Sequence, residues 1–320
     1  MKKKEKIKTI IIGFGRIAVG YNKLNNINFL THFKSLQSNK NFSIIGVIDP
    51  SKNAKDKILQ KYNIKKYNHL SELEDKKPKF AVISSPTNTH AKIIREILKN
   101  HKSVEVILCE KPFGNNFLIS KKLLTISKKN NVDIFVNYMR VSDPSVNYLN
   151  KLIKKFFIHS FKGVAFYDGE TLNQASHLVN LLQLWFGKVL KFYKIPSDKK
   201  IDKKYGINFV LEFKKLKITF IGLNIRRFSY ASIELISSDG RIYYGDRGAE
   251  IFFQKRKFDT IFNEDFLPSS KKEYIKNDIN NYQKNVIDQI LKRFQKKRYK
   301  LCSADNAVET LRIMNKLMKK

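Results

Sequence analysis

Through the first 140 residues, short apolar runs rich in β-branched side chains alternate with stretches of helical spacing. The runs cover residues 8–13 (KTIIIG), 42–49 (FSIIGVID), 80–84 (FAVIS), 104–109 (VEVILC) and 133–137 (DIFVN). They are nearly continuous rather than alternating, as in strands covered on both faces by helices. Between two of them, residues 90–100 place Ile93, Ile94, Ile97 and Leu98 on one helical face. Thr87, Asn88 and Thr89 offer capping oxygens just before it. Strand and helix repeated this way predict an α/β fold with a parallel, doubly wound sheet.

After about Pro144 the rhythm changes. A helix over 145–155 leads to a strand near 161–166, then to a helix carrying His177 and running through 186. Extended segments follow at 206–213, 216–224, 232–237 and 241–244, with Asp239-Gly240 as a hairpin signal. These predict an α+β domain with a mostly antiparallel, open sheet. Residues 280–320 read as helical, with Tyr282, Val286, Ile290 and Phe294 on one side and Ser303 placed to cap a last helix. The expected domains are 1–140 and 141–320, with the C-terminal helix able to pack back on the first.

Chemistry is expected at the ends of the parallel strands, where open α/β sheets bind ligands. Gly13-Phe14-Gly15-Arg16-Ile17-Ala18 is a GxGxxA turn directly after the first strand. Gly13 permits the tight turn, and Gly15 lets the backbone approach a pyrophosphate at the start of a helix. Asp49, ending the second strand, suits the hydroxyls of an adenosine ribose and repels a 2′-phosphate, which favours NAD. NADP stays open, because Ser51 and Lys52 could partly accommodate a phosphate. The gap from Ala18 to Asp49 is longer than usual and implies an insertion around 21–30. Residues 84–90 (SSPTNTH) end the third run and Cys109-Glu110-Lys111-Pro112-Phe113 the fourth. Lys111 sits between a buried strand and a proline, where a lysine can bind a hydroxyl or carbonyl oxygen and help move its proton. Asn173 and His177 are four apart, so they share one helical face. His177 is either a general base or a satisfied core group.

Charge decides less. The formal net charge is +35, from 63 Lys and Arg against 28 Asp and Glu. Eleven of the 63 are Arg, leaving 52 Lys, and these spread through the whole chain together with Asn and Ile. An A/T-rich coding bias gives that pattern, whereas a nucleic-acid binder concentrates Arg and Lys on one face. Neither a nucleic-acid nor a membrane partner is expected, and the basic surface is read as solvated. Cys109 and Cys302 cannot form a disulfide framework, which fits a reducing cytoplasm. The basic start and the apolar run at 7–13 imitate a signal peptide, but Arg16 breaks the run and no small-residue cleavage site follows. No segment approaches the roughly 18 apolar residues of a membrane span, and no metal site is expected.

Residues 13–18, 84–90, Glu110-Lys111-Pro112 and Asn173–His177 stand in the order found in the Gfo/Idh/MocA oxidoreductases, which the chain resembles over nearly its whole length. Asn137-Tyr138-Met139-Arg140 with Asp143-Pro144 extends the resemblance. The run Asn-Gln-Ala-Ser-His followed by Leu-Leu-Gln-Leu-Trp-Phe-Gly is similar to members encoded with surface-polysaccharide genes. The resemblance implies an N-terminal Rossmann domain, a second domain with a mostly antiparallel sheet, and an active site in the cleft between. It implies that Gly13, Phe14, Gly15, Arg16, Ile17, Asp49, Ser84, Pro86, Thr87, His90, Glu110 and Lys111 contact the cofactor. It gives Lys111, Tyr138, Arg140, Asn173 and His177 to the substrate, with Lys111 on the reacting hydroxyl and His177 taking its proton. It also implies a cis peptide before Pro112 and a homo-oligomer, dimer or tetramer, formed through the open sheet face.

One departure stands out. Family enzymes often carry Asp where this chain has Asn173 and Asn180, and Asn cannot support an imidazolium as a carboxylate does. Asp168 and Glu170 are nearby carboxylates that could substitute. The function expected is hydride transfer between a nicotinamide cofactor and a secondary alcohol or ketone of a sugar, with Arg226 and Arg227 suited to a sugar-linked diphosphate. The alternative is a catalytically weak dinucleotide-binding regulator of the same fold.

Overall fold

The computed structural model describes residues 5–21, 27–51, 56–196, 205–225, 228–266 and 271–319. The chain divides into two units, Met1–Ser142 with Asn280–Leu311, and Asp143–Ile279 with Arg312–Lys320. A single cut near 140 misses that exchange. Residues 280–311 return to the first unit because Val286, Ile287 and Ile290 complete its core.

The first unit holds strands β1 (Ile7–Ile12), β2 (Phe42–Ile48), β3 (Lys66–Tyr67), β4 (Phe80–Ile83), β5 (Val106–Cys109) and β6 (Asp133–Val136). All pairings are parallel, in the order β3-β2-β1-β4-β5-β6, so the sheet reverses direction of growth between β1 and β4. Helices α1 (His32–Gln37), α2 (Asp56–Lys61), α3 (His90–Asn100) and α4 (Phe117–Lys129) lie between the strands. Successive residues Ile10 and Ile11 are both wholly buried, as are Ala81 and Val82, so both sheet faces are covered. A later helix (Tyr282–Phe294) lays Val286, Ile287 and Ile290 in a cluster with Phe80, Val106 and Leu108. Each such side chain contributes roughly 1.5–3 kcal/mol when buried.

One element departs from expectation. The GxGxxA turn does not open a regular helix: Arg16–Gly20 forms a single π-type turn, and α1 begins only at His32, where the Thr31 hydroxyl accepts from the Lys34 amide. Gly20, a poor helix former, ends the turn.

The second unit starts with α5 (Pro144–Phe156), β7 (Phe161–Tyr167), α6 (Thr171–Phe186) and β8 (Lys191–Lys194). Strands β9 (Phe209–Phe213), β10 (Leu216–Gly222), β11 (Ala231–Ser237), β12 (Gly240–Gly245) and β13 (Glu250–Lys255) follow. A small ribbon, β14 (Lys257–Asp259) with β15 (Glu264–Phe266), precedes β16 (Glu273–Tyr274). The eight-stranded sheet runs β16-β13-β12-β11-β7-β10-β9-β8 and is antiparallel except for the central β7–β10 pair. On β7, Phe161, Ala165 and Tyr167 point into the core while Lys162, Val164 and Phe166 point away, the two-residue period of a sheet with one covered face. Leu178, Leu182 and Trp185 of α6 fill that core. The tail of the last helix, α8 (Ala304–Met318), adds Ile313, Met314 and Leu317. Numbered in chain order, Tyr282–Phe294 is α7.

Candidate active site

In the first unit the carboxyl ends of β1, β2, β4, β5 and β6 carry the polar residues singled out above. Gly13 sits at φ +88°, and a Cβ there would lie 2.5 Å from the Ser85 nitrogen. Both the left-handed backbone and the contact demand glycine. Its amide donates to the Ile48 carbonyl at 2.8 Å, and the Ser84 hydroxyl donates to its carbonyl at 2.7 Å. The turn is thereby stitched to β2 and β4. Gly15 differs: nothing lies within 4 Å of the position its Cβ would take. That open approach to bare backbone fits a diphosphate, and the first amides of the following turn have no partner within it.

Asp49 holds the turn from the other side. The Phe14 amide donates to its Oδ2 at 2.7 Å, and the Ser51 amide and hydroxyl donate to its Oδ1 at 2.9 and 2.6 Å. Burial pushes the Asp49 carboxyl up, but the Ser51 hydroxyl, the Phe14 and Ser51 amides and the Lys66 ammonium together hold it below the usual carboxylate range. A carboxylate has about four acceptor positions. Three are engaged within the protein, so Asp49 fixes the loop and has capacity for about one ribose hydroxyl. A cavity of about 360 Å³ opens beside it, lined among others by Gly13, Asp49, His69, Leu70, Pro86 and Ile93. His69 and Leu70 were not legible as site residues, since β3 before them is only two residues long.

Residues 87–89 form a 3-10 turn and give α3 no side-chain cap. The Thr89 hydroxyl instead donates back to the Pro86 carbonyl at 2.7 Å and bonds the Ser85 hydroxyl. His90 is wholly buried, and its Nε2 donates to the Ser85 carbonyl at 3.0 Å. Burial lowers its pKa, and the opposing pull of the Ser85 carbonyl, Glu110 and Pro112 does not restore it. His90 is therefore a neutral strut beneath the 84–86 loop along which a cofactor contact is expected.

Glu110 also turns inward. Its Oε1 lies 2.7 Å from His32 Nε2 and accepts from Asn137 Nδ2 at 2.6 Å, while its Oε2 accepts from the Lys111 amide at 3.3 Å. Burial raises its pKa, but His32, Asn137 and Lys111 more than offset this and keep it a carboxylate. The Asn137 amide reaches on to Gln283 Oε1 at 3.2 Å, which ties α7 into the network. The Lys111–Pro112 peptide is cis, as the resemblance implied. Tyr138 and Arg140 are buried, with the Arg140 guanidinium 5.9 Å from the centre of the Tyr282 ring. The substrate contact expected of these two stays a proposal, with both side chains buried at the turn after β6. Cys109, wholly buried with its thiol pushed well up by burial, is inert.

In the second unit, His177 and Asn180 are buried and Asn173 half-buried along one side of α6. Asp168 is buried with its Oδ1 accepting from the Ile225 amide at 2.6 Å, so it pins the chain after β10. The Glu170 carbonyl starts α6 by accepting from Gln174. Lys52, Arg226 and Arg227 lie outside the described residues. No helix among the described residues is long and apolar enough to cross a membrane.

Comparison with known proteins agrees with the fold. Solved structures match nearly end to end. An oxidoreductase of Desulfitobacterium hafniense, designated NADPH-dependent, gives a TM-score of 0.79 at 13% identity, covering 99% of this chain and 95% of its own. The UDP-N-acetylglucosamine 3-dehydrogenase GnnA of Acidithiobacillus ferrooxidans gives 0.75 at 13%, covering 97% and 96%. The WlbA dehydrogenase of Bordetella pertussis, in complex with NADH and UDP-GlcNAcA, gives 0.73 at 14%, covering 96% and 94%. At such identities the likeness establishes the fold. No curated protein sequence matches the chain. The model of the oxidoreductase family with an NAD-binding Rossmann fold matches residues 7–138, the span that carries the glycine turn, Asp49 and the Glu110-Lys111-Pro112 end of β5. Residues 7–138 thus match the Gfo/Idh/MocA oxidoreductase family as its NAD-binding Rossmann domain.

Proposed function

We propose that the protein transfers hydride between NAD and a secondary alcohol or ketone of a sugar, with nucleotide-linked sugars as the preferred class. The observation that favours this is the strand-end arrangement: an open glycine turn, a nearby 360 Å³ cavity and a lysine, Lys111, fastened at the end of β5. Bound NAD supplies the hydride acceptor. In the oxidising direction Lys111 holds the reacting oxygen and His177 accepts its proton, while Asn173 donates to a sugar oxygen. The relatives GnnA and WlbA support the nucleotide-sugar class by what their names and bound ligands state. NADP remains a second possible cofactor, because Asp49 already spends most of its acceptor capacity on the protein.

The uncovered sheet face, which exposes Tyr193, Ile236 and Tyr274, is where we place self-association into a dimer or tetramer. Two free, buried cysteines suit work in the reducing cytoplasm. The test is a screen of free and nucleotide-linked sugars, oxidised and reduced, with both cofactors, followed by NADH absorbance. Turnover of a nucleotide sugar supports the proposal; absence of NADH and NADPH binding overturns it. Asn173 favours one competing function, a dinucleotide-binding regulator, which would bind NADH and turn over nothing in the screen.

A further inference from the structure

We propose that His32 is a positioning residue for Lys111, acting through Glu110. This rests on the role proposed above for Lys111 and adds to it a residue 78 positions away from Glu110 in sequence. His32 is the first residue of α1, is wholly buried, and places Nε2 2.7 Å from Glu110 Oε1. Glu110 is the residue directly before Lys111. Its own amide is fixed to the Ile83 carbonyl at 2.8 Å, and its Oε2 accepts from the Lys111 amide. The carboxylate therefore fastens the peptide from which the Lys111 side chain departs, and whatever orients the carboxylate orients that peptide.

Two donors do so. Asn137 reaches from the end of β6, braced by Gln283, and His32 reaches from the start of α1. The other groups that act on the Glu110 charge are the Lys111 ammonium, the neutral His90 and the Cys109 thiol. A carboxylate only accepts, so the hydrogen shared with His32 is on Nε2. Among the described residues Nδ1 of His32 has no hydrogen-bond partner, so its one polar contact is with Glu110. A histidine serving only as core filler has no need of that contact. A buried carboxylate does need it, because an unpaired charge there is strongly unfavourable.

The test compares His32→Leu, His32→Gln and His32→Asn in the full chain. Gln carries its amide nitrogen to about the place of Nε2, and Asn to about that of Nδ1. His32→Leu is expected to lower kcat roughly ten- to a hundredfold, with the NADH Kd, read by fluorescence, changed much less. Without the His32 donor the Glu110 pKa rises, so the acid limb of the kcat profile moves toward neutral pH. His32→Gln should recover most of the rate and His32→Asn should not. In the cofactor-free wild-type protein, nitrogen NMR of the histidines should show His32 carrying hydrogen on Nε2; an Nδ1-only tautomer overturns the proposal even if no variant folds. Wild-type kcat and pH profile in His32→Leu overturn it alone. Absence of turnover by the wild-type protein overturns the parent function and this inference with it.

Discussion

Gly13 and Gly15 stand two residues apart in one turn, and the structure predicts opposite consequences for the same substitution. At Gly13 an alanine must hold φ +88°, a left-handed strain of about 1–2 kcal/mol. Its Cβ also meets three backbone atoms of Ser84 and Ser85 at 2.5, 2.6 and 2.8 Å, and backbone cannot rotate away as a side chain tip can. Relieving that overlap parts β1 from β4 and breaks the Ser84 bond to the Gly13 carbonyl, worth about 1 kcal/mol more. Gly13→Ala should therefore destabilise the first unit by about 2–4 kcal/mol. At Gly15, with φ −80° and an empty surround, alanine is tolerated. Its lower unfolded-state entropy should leave stability unchanged or raised by up to about 1 kcal/mol. The added methyl stands where a diphosphate would approach, so NADH affinity should fall by about tenfold, or about 1.4 kcal/mol. Urea unfolding and NADH fluorescence titration read the two effects separately. A Gly13→Ala protein as stable as the wild type would refute the strand-end geometry. A Gly15→Ala protein that binds NADH normally would refute the path of the diphosphate.

Three other outcomes are expected. Lys111→Ala and His177→Ala should each abolish turnover while NADH binding persists; unchanged rates in both would remove them from the chemistry. Asp49→Ser should relax discrimination against NADP and reduce stability by about 1–2 kcal/mol through the lost Phe14 and Ser51 bonds. Because the Asp49 pKa is depressed on folding from its ordinary 3.8, that stability is present above about pH 4 and is lost as pH falls below it. The gap between wild type and variant in urea should narrow from about pH 6 to pH 3, and a constant gap would contradict the assignment. Tyr167→Phe removes a buried hydroxyl that bonds the Ile207 carbonyl at 2.6 Å and Thr171, and whose pKa is pushed up to about 12 by burial. It should destabilise the second unit by about 1–2 kcal/mol with little effect on NADH binding, as a melting comparison would show.

The parallel sheet was legible because burial on both faces writes continuous apolar runs, as at 80–84 and 104–109. The two-residue β3 leaves no such run, so His69 and Leu70 beside it went unread. The acidic residue ending β2 was visible, but its grip on the Phe14 amide depends on a loop conformation that residue identity does not encode. Thr87, Asn88 and Thr89 looked like caps because their oxygens precede a helix; the Pro86 carbonyl competes successfully for the Thr89 hydroxyl. His32 was invisible for another reason: one histidine after an insertion has no partner until folding brings Glu110 to it. The amphipathic face of α7 was equally plain, yet periodicity reveals that a helix has an apolar side and not which core receives it.

The return of α7 to the first unit has a consequence for synthesis. The six parallel strands are complete by Val136, but the helix that covers Phe80, Val106 and Leu108 ends at Phe294. At translation rates of about 5–20 residues per second, roughly 8–30 s pass between the two. For that interval the nascent sheet shows an apolar face to solvent while the whole intervening unit is being made. Chaperone dependence should therefore attach to the first half of the chain during synthesis, even though its last-made part is what ends the exposure.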